Sequence, residues 1–436
     1  MSRKRKPTEI QEHGRLMMPD GSWYTRDSNV TGLNNNVAVI GPSGSGKTSV
    51  MGVLNAIESK SSFVLSDPKG TQYRNLKDIL PKLGYKVQIL DLTHPERSDR
   101  YNPLSRLYTA SDIRAISHSI VSMSYGSEYT GSYDRYWDFA AESMLCACIA
   151  YLMESDKPMS ERTLTKVVDI VSRIEPDGGR RQTIFNNFQY LQNNAEQQGE
   201  ESWAYKMMHQ FETLSEKTLS CVISTVVSML LAFEGQEFAE LFSGDDFDFR
   251  SLGDELTALF VIVSDSDRSN DLVANIFYTQ AMNELCDYAD NECEDGRLKI
   301  PVMFMLDDFA TNCRIDNFEN MISNIRARNI SAMIMLQSIS QLEEGYGRSA
   351  HTIMNNCDTV IFMGANAPND AKYFAERANK PLHEMLEMPL HTSWIFRRAY
   401  KPRFVENIDP RGYAENLFKK ENQGCTAEQS CDMLVG

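Results

Sequence analysis

The stretch Asn36-Val37-Ala38-Val39-Ile40-Gly41-Pro42-Ser43-Gly44-Ser45-Gly46-Lys47-Thr48 decides the fold. An apolar, β-branched run breaks at a glycine, crosses a loop of small residues and re-emerges as Thr48-Ser49-Val50-Met51-Gly52-Val53-Leu54. Strand, loop and helix in that order, with the spacing G-x-x-x-x-G-K-[ST], are what a phosphate-binding loop requires. Gly41, Gly44 and Gly46 let the backbone turn left-handed and approach a phosphate closely. The loop of Gly41, Pro42, Ser43, Gly44, Ser45 and Gly46 can then present N–H groups as an anion nest at a helix N-terminus. Lys47 is placed to bridge β- and γ-phosphates, and the Thr48 hydroxyl to ligand Mg²⁺, so the expected ligands are ATP and Mg²⁺.

The rest of the chain has to build a domain around that loop. Its 436 residues suffice for one large domain or two ordinary ones, and 42% hydrophobic content allows a substantial core. The net charge of −16 argues against a surface that binds nucleic acid everywhere, and leaves room for a local basic surface or channel. Nine cysteines show no C-x-x-C pair and no zinc spacing, so they read as reduced cytoplasmic thiols. Arg3-Lys4-Arg5-Lys6 is followed by polar residues rather than an apolar run, which excludes an export signal. The longest apolar stretches, residues 144–153 and 222–233, are too short to span a bilayer.

Taken in order, residues 1–30 read as a loosely held polar arm with Trp23-Tyr24 as its anchor. Strands are predicted over 62–66, ending in Asp67-Pro68-Lys69-Gly70, and over 85–92; with residues 31–104 they form the first part of a nucleotide-binding domain. Residues 105–245 are helical in period. Trp137, Ala140, Ala141, Met144, Leu145, Cys148, Ile149 and Leu152 fall on one stripe, predicting an all-α insertion in which Cys146 and Cys148 pack rather than react. Ser215-Glu216-Lys217-Thr218 reads as an N-cap or a partner-facing edge. The second part of the domain, 246–410, brings strands over 256–263, 300–306, 331–336 and 359–363, with helices over 271–288 and 318–326, and 411–436 is a polar tail. The fold class is therefore α/β, a mostly parallel sheet flanked by helices.

A strand ending in Asp307-Asp308 supplies what a nucleotide hydrolase needs opposite its phosphate loop. Asp307 is the candidate for the Mg²⁺ shell, and Asp308 for orienting or deprotonating the attacking water. Gln337, leaving the neighbouring strand, is placed to bond the γ-phosphate or that water.

With these pieces the chain resembles the VirD4/TraG family of type IV secretion coupling proteins, DNA-pumping ATPases of conjugation among the FtsK-like and HerA-like motors. The resemblance rests on Thr31-Gly32-Leu33-Asn34-Asn35-Asn36, Asp67-Pro68-Lys69-Gly70, Tyr101-Asn102-Pro103-Leu104, Trp137-Asp138 with Ala140-Ala141-Glu142, Leu306-Asp307-Asp308-Phe309-Ala310, and Gln337-Ser338 with Gln341-Leu342. It implies a RecA-like motor with an all-α domain that meets the DNA-processing cargo. It also implies a homo-hexameric ring around DNA, a monomer in isolation being compatible, with ATP between subunits. An arginine from the neighbour completes each site, and Arg326 occupies the matching position, with Arg328 as understudy. The implied partners are single- or double-stranded DNA, a relaxase and the type IV secretion channel, and the implied place is the cytoplasmic face of the membrane. Two departures stand out. The second acid is Asp308 where the family usually has Glu. Only residues 1–35 precede the motor where relatives carry membrane-spanning helices, which suggests an anchor-less relative, or an anchor on another chain or removed. An ATP-binding adaptor that recruits without pumping and a small-molecule kinase are the rival readings; the second lacks an acceptor motif.

Overall fold

The computed structural model describes residues 14–124, 135–174, 178–233, 235–264, 268, 270–311, 314–410 and 412–413. Arg3-Lys4-Arg5-Lys6 and nearly all of the polar tail lie outside them. The strands are β1 (Arg15–Met17), β2 (Trp23–Thr25), β3 (Val37–Ile40), β4 (Ser62–Ser66), β5 (Lys86–Asp91), β6 (Thr257–Ile262), β7 (Val302–Leu306), β8 (Ile330–Leu336), β9 (Thr359–Phe362), β10 (Thr392–Arg397) and β11 (Arg403–Glu406). Nine of them form one sheet in the order β11-β10-β9-β3-β8-β7-β4-β6-β5. From β9 to β5 every pairing is parallel; β10 and β11 close the other edge antiparallel.

Both faces of the parallel region are covered, which is why its strands are apolar throughout rather than alternating. Val37, Val39, Phe63, Leu65, Met303, Met305, Met333 and Met335 pack with Val50, Met51 and Leu54 from the segment after the phosphate loop. Ala38, Ile40, Val64, Phe304, Leu306, Ile334 and Leu336 point the other way. That second face shares one unbroken core with the helices between β5 and β6, through Leu104, Ile120, Leu145, Leu152 and Val226, and with Phe277 of the helix Asp271–Glu292 that follows β6. The helical segment expected as an insertion is therefore packed into the sheet's own core. Its long helix, Arg135–Glu154, buries the anticipated stripe, with Cys146 and Cys148 inside it. Ser215 is an N-cap, accepting the Thr218 N–H.

One expectation is corrected. The segment before the phosphate loop is not a loose arm over its described part. β1 and β2 pair as a hairpin, and Leu16, Met17 and Met18 are buried. Arg26 is buried beneath β7 and β8, donating to the Ser331 Oγ at 2.6 Å, and burial depresses its guanidinium to about 10. Arg397 of β10 lies 3.8 Å from the Tyr24 ring, fixing the hairpin from the other side. Charged residues used as internal anchors are what composition could not reveal. At the C-terminal end, Trp394-Ile395-Phe396 belongs to an antiparallel strand pair, β10 and β11, where no strand is predicted from the sequence.

Asn36 ties the site strands together at their amino ends. Its side chain accepts the Ala332 N–H at 3.0 Å and donates to the carbonyls of Asn356 and Ile322 at 2.9 and 3.3 Å. Asn36→Leu leaves two buried backbone groups and one part-buried carbonyl unmatched, and we expect it to cost about 3 kcal/mol, read as a lower urea midpoint at unchanged slope.

Candidate active site

The parallel order brings three strand ends side by side at one edge of the sheet. β3 delivers the phosphate loop, β8 beside it delivers Gln337, and β7 beyond that delivers Asp307 and Asp308. Gly44 and Gly46 have φ of +79° and +92°, values that disfavour any side chain. Gly41 is needed for proximity instead: a Cβ there would meet Ser45 Oγ at 2.7 Å and Met363 Cβ at 2.9 Å. Ser43, Gly44, Gly46, Lys47, Thr48 and Ser49 line one wall of a pocket of about 310 Å³; Asp307, Asp308, Gln337 and Gln72 line the rest. Gly41, Pro42 and Ser45 do not line the pocket. The Lys47 amino group donates to the Gly41 and Pro42 carbonyls at 2.7 and 3.2 Å.

Thr48 and Asp307, expected to share a cation, touch directly: the Thr48 hydroxyl donates to Asp307 Oδ2 at 2.5 Å. Burial pushes the Asp307 carboxyl above its ordinary range and the Thr48 hydrogen bond pulls the other way. Burial lowers the Lys47 ammonium, and the charges of Asp307 and Asp308 oppose that. The pocket therefore holds one cation against two carboxylates. Among the described residues no group of three or more His, Cys, Asp or Glu is placed to hold a metal ion by itself, here or elsewhere. A hydroxyl and a carboxylate at one point fit a cation that takes its remaining ligands from phosphate and water.

Asp308 sits at φ +46° and accepts from Gln337 Nε2 at 3.3 Å, so the two residues expected to handle water and γ-phosphate are neighbours. Gln72 was not singled out from the sequence. The clue was the turn before it: Asp67 is buried and accepts the Thr71 and Tyr73 N–H groups at 3.0 and 2.8 Å. That capping starts the helix Thr71–Leu76 with Gln72 on the pocket wall.

Arg326 is not in the pocket of its own chain. It lies in the turn before β8, at the opposite end of a seven-residue strand, about 23 Å from the Gln337 end at ~3.3 Å per residue. It is exposed, and its guanidinium has no hydrogen bond or ion pair among the described residues. Arg328, the understudy, is engaged: Nε and Nη2 donate to Asp290 at 2.8 and 2.6 Å and Nη1 to the Asn324 carbonyl.

A phosphate loop, an acid-bearing strand and an interposed strand ending in glutamine define a RecA-like P-loop nucleoside triphosphatase fold. The family described as Type IV secretory system Conjugative DNA transfer matches residues 2–380, and the chain belongs to it. Its fold is similar to that of the bacterial conjugative coupling protein TrwBdeltaN70 in an unbound form, with TM-score 0.65 at 14% identity over 93% of this chain and 92% of that one. The plasmid coupling protein TrwB in complex with ADP and Mg²⁺ gives TM-score 0.64, also at 14% identity, over 93% of each chain. VirB4 of Thermoanaerobacter pseudethanolicus gives 0.52 at 13% identity over 91% and 96%. No curated protein sequence matches the chain significantly. No described helix is long and apolar enough to cross a membrane.

Proposed function

We propose that this chain is the ATP-hydrolysing coupling protein of a conjugative transfer system, driving a relaxase–DNA complex toward the secretion channel at the cytoplasmic face of the membrane. The observation that carries this reading is the meeting of Lys47, Thr48, Asp307, Asp308 and Gln337 in one pocket. Lys47 leaves its two carbonyls to hold the β- and γ-phosphate oxygens. Thr48 and Asp307 would hold Mg²⁺, whose charge would offset that of the phosphates. Gln337 orients the attacking water, and Asp308 accepts its proton as the bond from the γ-phosphorus to the ADP oxygen breaks, leaving ADP and phosphate.

The site is complete only between subunits. An exposed guanidinium at the far edge of the sheet can reach a neighbour's γ-phosphate in a ring, and not its own. Arg326→Ala and Lys47→Ala proteins are each expected to be inactive alone. Mixed, they form interfaces that pair an intact Lys47 with an intact Arg326, and ATP turnover returns. Failure of every mixture to recover any rate, with both variants shown to co-assemble, contradicts the shared site.

A further inference from the structure

We infer that Gln341 is a positioning residue that makes Gln337 and Asp308 move as one unit; the inference rests on the hydrolytic reading of this pocket. Gln341 lies in the first turn of the helix Ile339–Tyr346, and its amide faces two ways. Its Oε1 accepts the Gln337 N–H at 3.0 Å, and its Nε2 donates to Thr311 Oγ1 at 3.2 Å. The Thr311 hydroxyl in turn donates to the Asp308 carbonyl at 2.9 Å, and the Thr311 N–H to the same oxygen at 3.1 Å. One side chain thus joins the end of β8 to the loop after β7.

That loop has reason to need holding. Asp308 and Ala310 both take left-handed conformations, φ +46° and +76°, which non-glycine residues keep only when their surroundings enforce them. The same helix supplies further restraints. Gly345 packs so closely under Ala310 that a Cβ would sit 2.9 Å from the alanine methyl. The Tyr346 ring stacks on Phe309 at 5.2 Å and 15°. These two grip the loop; Gln341 alone also holds Gln337. Helix capping explains only half of its bonding. Ser338 is the N-cap and accepts the Gln341 N–H, and the Gln341 oxygen reaches back toward the cap as in a capping box. The donation to Thr311 lies outside that motif. When γ-phosphate pulls on Gln337, the Asp308 backbone is drawn with it, and the water-activating pair arrives in register.

The test compares wild type, Gln341→Ala, Thr311→Val and the double variant. Steady-state turnover is read beside the affinity for a non-hydrolysable ATP analogue and the hydrogen exchange of residues 308–311 with and without it. Gln341→Ala is expected to bind the analogue within about threefold of wild type and lose about 10–100-fold in kcat, the scale of a small misplacement. Thr311→Val should lose a similar factor, and the double variant no more than either single one. Analogue-induced protection of 308–311 should disappear in Gln341→Ala. Wild-type kcat in Gln341→Ala, fully multiplicative losses, or a loss matched by equal losses of affinity and thermal stability each overturn the inference. Protection transmitted in wild type and lost in the variant, in a chain that hydrolyses nothing, sinks the hydrolytic reading and leaves the Gln341 link standing.

Discussion

Replacing Lys47 by alanine is expected to leave a folded chain whose ATP turnover falls by about 10²–10³-fold, the scale for removing one preorganised charge from a transition state. Lys47 is buried, and its amino group rests on two loop carbonyls, Gly41 and Pro42, that any phosphate oxygen can outcompete. Among the described residues it is also the only positive side chain lining the pocket, facing Asp307 and Asp308. Without it, an incoming triphosphate meets two carboxylates, so binding weakens along with turnover. The fold should tolerate the change, because desolvation already disfavours the Lys47 charge. Isothermal titration with an ATP analogue, a steady-state assay and a melting curve check the three parts.

Asp307→Asn is expected to separate stability from function. Turnover at saturating Mg²⁺ should drop by about 10²-fold or more, since an amide is a poor cation ligand and the Thr48 hydroxyl alone cannot hold the ion. Stability without Mg²⁺ should move the other way. Burial raises the Asp307 carboxyl above its unfolded value, so the folded chain holds that proton more tightly. Such a group contributes stability below its unfolded pKa and loses it as the pH rises through the folded one. At neutral pH its ionised form is a cost that asparagine removes. The variant should therefore melt above wild type at neutral pH, and the gap should close on acidification. A variant that melts lower at neutral pH would mean that the carboxylate bond to Thr48 outweighs the desolvation.

How much of this was legible depends on where the physical constraint is local. The phosphate loop is a local device: its glycines, lysine and threonine must be consecutive, and the string names them. Asp307-Asp308 and Gln337 were legible because apolar strands in a parallel sheet end at one edge, so a polar residue ending each strand belongs to one crevice. The hairpin 15–25 was misread because what fixes it is distant: Arg26 under Ser331 and Arg397 against Tyr24. Gln72 was overlooked because its neighbours cap a helix, which is invisible until Asp67 is seen accepting from Thr71 and Tyr73. Arg326 and Arg328 look alike in sequence and differ only in whether Asp290 is within reach. The shortened acid, Asp308, finds its place through a left-handed backbone that no pattern announces.

The central claim, a DNA-driven ATPase, is tested most directly by the steady-state rate of ATP hydrolysis with and without single- and double-stranded DNA, beside Lys47→Ala. The account predicts a rate that rises with DNA and is absent from the variant. A rate at background in every condition, with the ATP analogue still bound, would contradict it and leave an ATP-binding adaptor that recruits its cargo without pumping.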